Sequence, residues 1–181
     1  MHYVISTFYG KVLNGKAGKG IALNIQIISV GKLKEKYLKD AVLEYTKRLS
    51  RFCKIEILEA SEEKVPETLS GQEEEQARKR EAEKIRSLLA KNTFTIVLDL
   101  QGEQPDSEQM AKKLSAWMLQ GKSHITFIIG GSIGLDRQLV KEADYSLCLS
   151  NMTFPHQLTR VILLEQIYRC FKIINHETYH K

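Results

Sequence analysis

The 181-residue sequence has few of the residues that mark a disulfide framework, a thiolate metal site or a membrane span. Its three cysteines, Cys53, Cys148 and Cys170, are an odd number without C-x-x-C spacing, so neither a disulfide scaffold nor a cysteine zinc site is indicated. No apolar run approaches the roughly 18 residues that a membrane-spanning helix needs. We therefore expect a cytoplasmic protein that does not enter a membrane.

Basic residues are in moderate excess over acidic ones. Lysine and arginine number 27 against 22 aspartates and glutamates, which gives a formal net charge of +5. Because basic side chains gain free energy by displacing counterions at phosphates, this excess favours a polyanionic partner. Hydrophobic residues make up 43% of the chain, enough to bury the core of one domain.

The first 22 residues differ from the rest of the chain. They contain four glycines and three lysines between positions 10 and 20, without apolar periodicity and without the apolar core and cleavage site of a secretory signal. A basic arm that touches RNA is one interpretation, and a disordered segment outside the domain is another. Leu23 directly precedes the first predicted strand, and leucine is what an internal UUG codon encodes. We therefore favour a misplaced start, with the domain at residues 23–181.

Short β-branched runs alternate with amphipathic segments over the remainder of the chain. This alternation predicts an α/β fold in which a parallel sheet is joined by right-handed crossovers, all in a single domain. The segment 72–91 carries charges of alternating sign, so we expect a helix that is largely exposed to solvent, with a short apolar contact surface near its C-terminal end. The predicted strands are 24–30, 52–58, 94–100 and 124–129. The predicted helices are 37–49, 72–91, 106–120 and 157–174, with a short helix and a strand before the last one. Asp106 or Ser107 can cap the helix at 106–120, because a short side-chain oxygen accepts from the free N–H groups at a helix start.

Two loops near the C-terminal end of the chain carry the clearest functional signal. A glycine-rich segment, 130–134, follows the strand at 124–129, and a loop at 149–156 follows the next strand. In open α/β sheets, ligands bind at the carboxyl ends of the strands, where both loops lie. The dinucleotide fingerprint G-x-G-x-x-G is not matched, because Ile129 stands where its first glycine would be. The glycines do allow backbone to approach a ligand closely.

A second pattern, His176-Glu177-Thr178-Tyr179-His180, matches H-E-x-x-H. In zinc hydrolases this pattern places two histidines on one face of a packed helix and needs a third ligand. The neighbouring residues offer no such ligand. A metalloprotease is therefore retained only as a third hypothesis.

The predicted last helix is apolar over most of its circumference. Such a helix is buried on several sides, which indicates either a central position or a subunit interface. We favour a homodimer. Arg160 falls on the apolar face of this helix and needs a partner there. A buried or interfacial salt bridge and a contact with RNA or substrate both remain open for it.

Several long motifs resemble one known family. They are FIIGGSIGLD, LSNMTFPHQLTRVILLEQIYRCFKI and NHETYHK, together with NIQIISVGKLKEKY and DLQGE. In their order along the chain, from Asn24 to Lys181, they resemble the RlmH family of ribosomal RNA methyltransferases of the SPOUT class. The resemblance implies a parallel α/β domain with a C-terminal trefoil knot, which acts as a homodimer. It also implies methylation of nitrogen 3 of a pseudouridine in large-subunit ribosomal RNA on the assembled ribosome, with S-adenosylmethionine as methyl donor and no metal.

The same resemblance assigns residues to the site. The cofactor would be surrounded by residues from three loops, namely Leu98, Gly130, Leu149, Ser150, Asn151, Met152, Thr153 and Phe154. Because the target nitrogen carries a proton, His156, Tyr179 and His180 are candidates for accepting it, and Arg160 for stabilising charge on the base. Ser132-Ile133 departs from the family after the paired glycines. A non-catalytic dimer that binds the ribosome is the alternative function.

Overall fold

The strands form where β-branched residues cluster, and the buried ones are apolar on both faces. In the computed structural model, which describes residues 23–64 and 70–179, five parallel strands form one sheet in the order β2-β1-β4-β3-β5. The strands are β1 (Asn24–Val30), β2 (Lys54–Ala60), β3 (Phe94–Glu103), β4 (His124–Ile129) and β5 (Tyr145–Leu147). Continuous apolar strands are typical of sheets that helices cover on both sides.

Four helices connect these strands, and a fifth follows β5; together the five described helices cover both faces of the sheet. They are α1 (Lys36–Leu49), α2 (Gly71–Leu88), α3 (Ser107–Leu119), α4 (Arg137–Glu142) and α5 (His156–Ile174). Helices α1, α3 and α5 pack on one face and α2 and α4 on the other, around two separate apolar clusters. The predicted α/β class with a parallel sheet in a single domain is confirmed. The trefoil knot stays a prediction.

The last helix occupies a central position rather than an outer one. Helix α5 lies between α1 and α3 and against the sheet, and it buries Leu163, Leu164, Ile167 and Phe171. Part of its apolar circumference is therefore buried within one chain, whereas Val161, Ile162, Ile173 and Ile174 are only half-buried and Leu158 is exposed. The central position is observed, and the homodimer stays a prediction.

The start of α3 is capped as predicted, whereas the bounds of β2, β3 and α2 differ from the prediction. The Asp106 side chain accepts a hydrogen bond from the Gln109 N–H in a capping box, as expected for the start of α3. Strand β2 begins and ends two residues later than predicted, and β3 extends three residues further. Helix α2 ends at Leu88 rather than at residue 91.

Helix α2 also sits on the sheet differently from the prediction. Its buried residues are Ala77, Glu81, Ala82 and Ile85, whereas Leu88 is only half-buried. The buried surface of α2 thus extends two turns further towards its N-terminus than predicted, because Ala77 and Ala82 allow the helix to approach the sheet closely. Glu81 was expected to be solvated with its charged neighbours, and it is instead 2% exposed.

Some predictions concern positions outside the described residues. The N-terminal segment 1–22 and His180 are among them. Within the part that the structure describes, no helix is long and apolar enough to cross a membrane.

Candidate functional site

A cavity of about 540 Å³ opens at the carboxyl edge of the sheet. Three segments wall it: the end of β3 at 98–100, the glycine-rich loop 129–135 after β4, and the loop 147–156 between β5 and α5. Because all five strands are parallel, their C-terminal loops converge on this edge. The volume lies within the usual range of small-molecule sites.

The cavity brings together most of the residues that the sequence assigned to a cofactor. Of the eight, the one that does not line it is Asn151, which is exposed on the loop after β5. The seven that line it are Leu98, Gly130, Leu149, Ser150, Met152, Thr153 and Phe154. Three separate loops therefore meet as the sequence predicted, around one concave surface.

The glycine-rich loop is crowded at Gly130 and Gly131, whereas a Cβ on Gly134 would meet nothing within 4 Å. A Cβ on Gly130 would lie 3.1 Å from the Gly134 carbonyl carbon and from Leu135 Cγ, and a Cβ on Gly131 would lie 2.9 Å from Val30 Cγ1. Gly134 has a φ of +77°, which favours glycine. A short bridge between Gly131 and Gly134 closes the turn. The loop thus presents backbone to the cavity, and a substitution at Gly130 would disturb the loop itself.

Gly102 is a residue that the sequence analysis missed. A Cβ there would lie 2.6 Å from the carbonyl carbon and oxygen of Ser146, a distance that side chains do not tolerate. At this place Leu147 pairs with both Leu98 and Glu103, so β3 bulges over the residues between them. The bulge pushes Asp99 and Leu100 to the cavity wall. The predicted strand ended at residue 100, before Gly102, so the strand pattern gave no signal for this bulge.

The loop after β5 is held by its own short contacts. The Ser150 carbonyl accepts from Cys148 Sγ at 3.2 Å, and the Ser150 Oγ accepts from the Met152 N–H at 3.0 Å. Met152 is nevertheless 72% exposed, and Phe154 is also exposed; both line the cavity. Leu158 does not line it but is exposed in the first turn of α5, next to Thr159, which does. With Leu100 from the β3 bulge, these residues form an exposed apolar rim beside the site.

His156, one of the predicted catalytic residues, lies in the wall of the cavity. It is the first residue of α5 and lines the cavity. Its Nε2 is 3.5 Å from the point that a Cβ on Gly31 would occupy, and Glu62 Oε2 is 3.3 Å from that same point. Glu62 also accepts a hydrogen bond from Ser132 Oγ at 3.0 Å. A carboxylate and an imidazole thus flank Gly31 beside the glycine-rich loop, and Glu62 had no recognisable sequence signal.

Arg160 is a buried residue whose two terminal nitrogens are hydrogen-bonded, whereas its buried Nε has no hydrogen-bond partner among the described residues. Its side chain donates to Glu59 Oε1 at 2.7 Å and to the Gly31 carbonyl at 2.7 Å, with a longer contact to the Val30 carbonyl. It is 1% exposed. Of the two roles left open by the sequence, the buried salt bridge is the one observed, and it lies within a single chain. Arg160 ties α5 to the ends of β1 and β2 instead of facing the cavity.

Tyr179 lies away from the cavity, on the outer side of α5. Its ring packs edge-on against Tyr168, with ring centroids 5.0 Å apart, and the Arg169 guanidinium stands 4.9 Å from its centroid. Burial, together with a hydrogen bond to Tyr45, raises the pKa of Tyr179 to about 12. A phenol with a raised pKa stays protonated near neutrality, so very little phenolate is present to accept a proton. Tyr179 therefore does not serve the cavity of its own chain in this arrangement.

The H-E-x-x-H pattern does not form the helical pair that zinc hydrolases use. Helix α5 ends at Ile174, and His176 has a φ of +52°. Glu177 is bound by Arg51, at 2.6 Å, and by Lys172, and these cations hold the pKa of its carboxyl below the usual range. Among residues 23–64 and 70–179, no group of three or more histidine, cysteine or acidic side chains could hold a metal ion.

Comparisons with known proteins agree with this geometry. The family model described as "Predicted SPOUT methyltransferase" matches residues 23–180. A ribosomal RNA large subunit methyltransferase H from Acetivibrio thermocellus is 57% identical over 159 residues, which are 88% of this chain and 100% of that protein. The protein of the same name from Ruminiclostridium cellulolyticum is 59% identical with the same coverage.

Among solved structures, a probable methylase family protein from Haemophilus influenzae Rd KW20 aligns over 89% of this chain and 71% of that one, with 13% identity and a TM-score of 0.48. That likeness is too low to add to the argument. The family match and the two sequence relatives cover all the loops that wall the cavity. On these grounds the chain belongs to the SPOUT methyltransferase family.

Proposed function

We propose that this chain transfers a methyl group from S-adenosylmethionine to nitrogen 3 of a pseudouridine in large-subunit ribosomal RNA, acting in the cytoplasm on the assembled ribosome. The observation that carries the proposal is the cavity at the carboxyl edge of the sheet, walled by three loops of a SPOUT chain. The names of the relatives supply the substrate class. We assign the catalytic domain to residues 23–181.

The residues present fit the proposed cofactor. The glycine-rich loop is a cradle that a Cβ would disturb, and Leu98, Leu149 and Phe154 give the cavity apolar walls suited to an adenine ring. Asp99 and Arg137 line the same cavity with opposite charges, which suits an amino-acid group that carries both an ammonium and a carboxylate. S-adenosylmethionine, when bound, supplies a methyl group activated by its sulfonium charge.

The chain's own residues have to align the target nitrogen and receive its proton. His156 is the proposed proton acceptor because it lines the cavity at the start of α5, where an imidazole nitrogen can reach a base that enters the mouth. Gly31 keeps the space between His156 and Glu62 open. Arg160 acts as a positioning residue, since it fixes the Gly31 carbonyl and the first turns of α5.

Tyr179 and His180 are proposed to act across a homodimer. Tyr179 does not line the cavity of its own chain, so a catalytic role for this tail requires the cavity of a second copy. The exposed apolar rim of Leu100, Met152, Phe154 and Leu158 supports an association at the mouth of the site. Each site would then be completed by the tail of the partner.

A subunit-mixing experiment tests the shared site. Gly130→Val should inactivate by displacing the glycine-rich loop, and His180→Ala by removing a tail group. When the two inactive proteins exchange subunits, half the dimers are hybrids with one intact site, so activity should return to roughly a quarter of wild type. No recovery despite confirmed exchange would show that each subunit uses its own tail.

The proposed reaction is tested by cofactor binding followed by mapping of the product. Isothermal titration with S-adenosylmethionine should show micromolar-range binding, and ribosomes from a strain lacking the enzyme should gain one N3-methylated pseudouridine. A protein that binds ribosomes but not S-adenosylmethionine would instead be the non-catalytic RNA-binding dimer. If the protein bound S-adenosylmethionine but methylated another nucleotide, only the assigned target nucleotide would be wrong.

A further inference from the structure

The segment between β1 and the first turn of α1 carries a dense group of cations. Lys32, Lys34, Lys36 and Lys39 are all exposed. None of them is in an ion pair with the described residues, unlike the lysines and arginines of α2. Tyr37 stands among them with 68% of its surface exposed. We call residues 32–39 the lysine ridge.

The backbone of the lysine ridge is fixed although its ammonium groups are free. The Leu33 N–H donates to Glu59 Oε1 at 2.8 Å, and the Lys34 N–H donates to Gln157 Oε1 at 2.8 Å. Leu33 packs against the core, and Arg160 holds the preceding Gly31 carbonyl. A fixed backbone carrying free cations is preorganised for a charged ligand, because little ordering remains to be done on binding.

The position of the lysine ridge relates it to the site. Residue 32 follows Gly31, which His156 and Glu62 flank, and the residue that anchors Lys34 is Gln157, the neighbour of His156 in α5. The ridge therefore borders the region where the target base has to enter. Cations at this place would bind the strand that carries the base.

We propose that the lysine ridge binds phosphates of the ribosomal RNA next to the target nucleotide and that Tyr37 stacks on an unpaired base there. The inference rests on the proposed function, because it takes ribosomal RNA as the substrate. Free ammonium groups gain most from polyphosphate ligands through counterion release. Sequence-tolerant stacking on an exposed aromatic ring is the usual companion of such contacts with unpaired RNA.

The sheet supplies a matched control. Lys54, Lys91 and Lys122 are exposed lysines at the amino ends of β2, β3 and β4, on the edge opposite the cavity. The triple variants Lys32→Gln/Lys34→Gln/Lys36→Gln and Lys54→Gln/Lys91→Gln/Lys122→Gln lose the same charge. They differ in where the charge is lost, and the control also loses the contact of Lys122 Nζ with the Phe94 ring, 5.4 Å from the ring centroid. Titration with S-adenosylmethionine should give wild-type values for both, and thermal unfolding should give the wild-type value for the ridge variant.

Binding to isolated large subunits and methylation kinetics are then measured over a range of salt. The ridge variant should raise Kd and KM at least tenfold, keep kcat within about twofold, and reduce the slope of log Kd against log salt by about two to three. The control variant should change the slope by less than one. Tyr37→Ala should weaken binding about tenfold, whereas Tyr37→Phe should not.

Equal effects of the two triple variants would overturn the proposal, because net charge rather than the ridge would then control binding. Unchanged binding of the ridge variant would overturn it as well. Subunit binding is read separately from methyl transfer. If the wild-type protein bound large ribosomal subunits through the lysine ridge without methylating them, the proposed methyl transfer would be refuted. The proposed RNA-binding role of the lysine ridge would still be supported.

Discussion

The salt bridge between Arg160 and Glu59 should respond unequally to the removal of its two partners. Arg160 is 1% exposed, whereas the Glu59 side chain keeps 38% of its surface in solvent. Glu59→Gln leaves a guanidinium buried without a counter-charge, a change that typically costs about 3–5 kcal/mol. Arg160→Met leaves a carboxylate that water can still reach, together with the unpaired carbonyl of Gly31, so about 1–3 kcal/mol is expected.

Urea denaturation of the two single variants and of the double variant measures this asymmetry. The double variant should be more stable than Glu59→Gln alone, because the methionine removes the unpaired charge. Arg160→Met should also keep its affinity for S-adenosylmethionine and lose methyl transfer, as expected of a positioning residue. If Arg160→Met costs more than Glu59→Gln, the argument from unequal exposure is wrong.

Four further outcomes are expected. Burial raises the pKa of Glu81 above its ordinary value. The folded protein therefore loses stability as the pH rises above the ordinary pKa of a glutamate, because the carboxyl ionises more readily in the unfolded chain. Glu81→Gln should raise the urea midpoint at about pH 8 and leave it unchanged below about pH 4. Gly102→Ala should destabilise by about 1–3 kcal/mol and weaken cofactor binding, whereas Gly71→Ala, whose Cβ would meet nothing within 4 Å, should be neutral or stabilising. Leu158→Asp, on the exposed rim, should give folded monomers in analytical ultracentrifugation, while Ile167→Asp, in the core, should unfold the chain. Deletion of residues 1–22 should leave the thermal midpoint and methyl transfer unchanged, because the family match begins at residue 23.

The parts of this molecule that sequence reasoning predicted are those governed by local chemistry. Buried β-branched runs gave the strands, and Asp106 gave the start of α3. The two loops at 130–134 and 149–156 were placed at one edge of the sheet by the parallel topology alone. The resemblance to a family then supplied the cofactor residues, and seven of the eight line one cavity.

The parts that were missed depend on contacts between residues distant in sequence. The partner of Arg160 is Glu59, which lies 101 positions earlier, and no pattern around either residue indicates the pair. Glu62 reaches Ser132 over 70 positions. The close approach of Gly102 to Ser146 depends on a register shift between two strands. The sequence left a central position and a subunit interface open for α5, because its neighbours α1 and α3 could not be identified in advance.

The central position of α5 has a consequence for the order of events during protein synthesis. This helix is translated after all five strands, yet it fills the groove between α1 and α3 and carries His156 at its first turn. Until it emerges, the face of the sheet that α1 and α3 cover lacks its central helix, and the cavity lacks the wall that His156 supplies. A nascent chain would therefore have neither a complete core nor a formed site, and contacts of such long sequence separation form slowly. Maturation of the fold and acquisition of activity should coincide in a single late step.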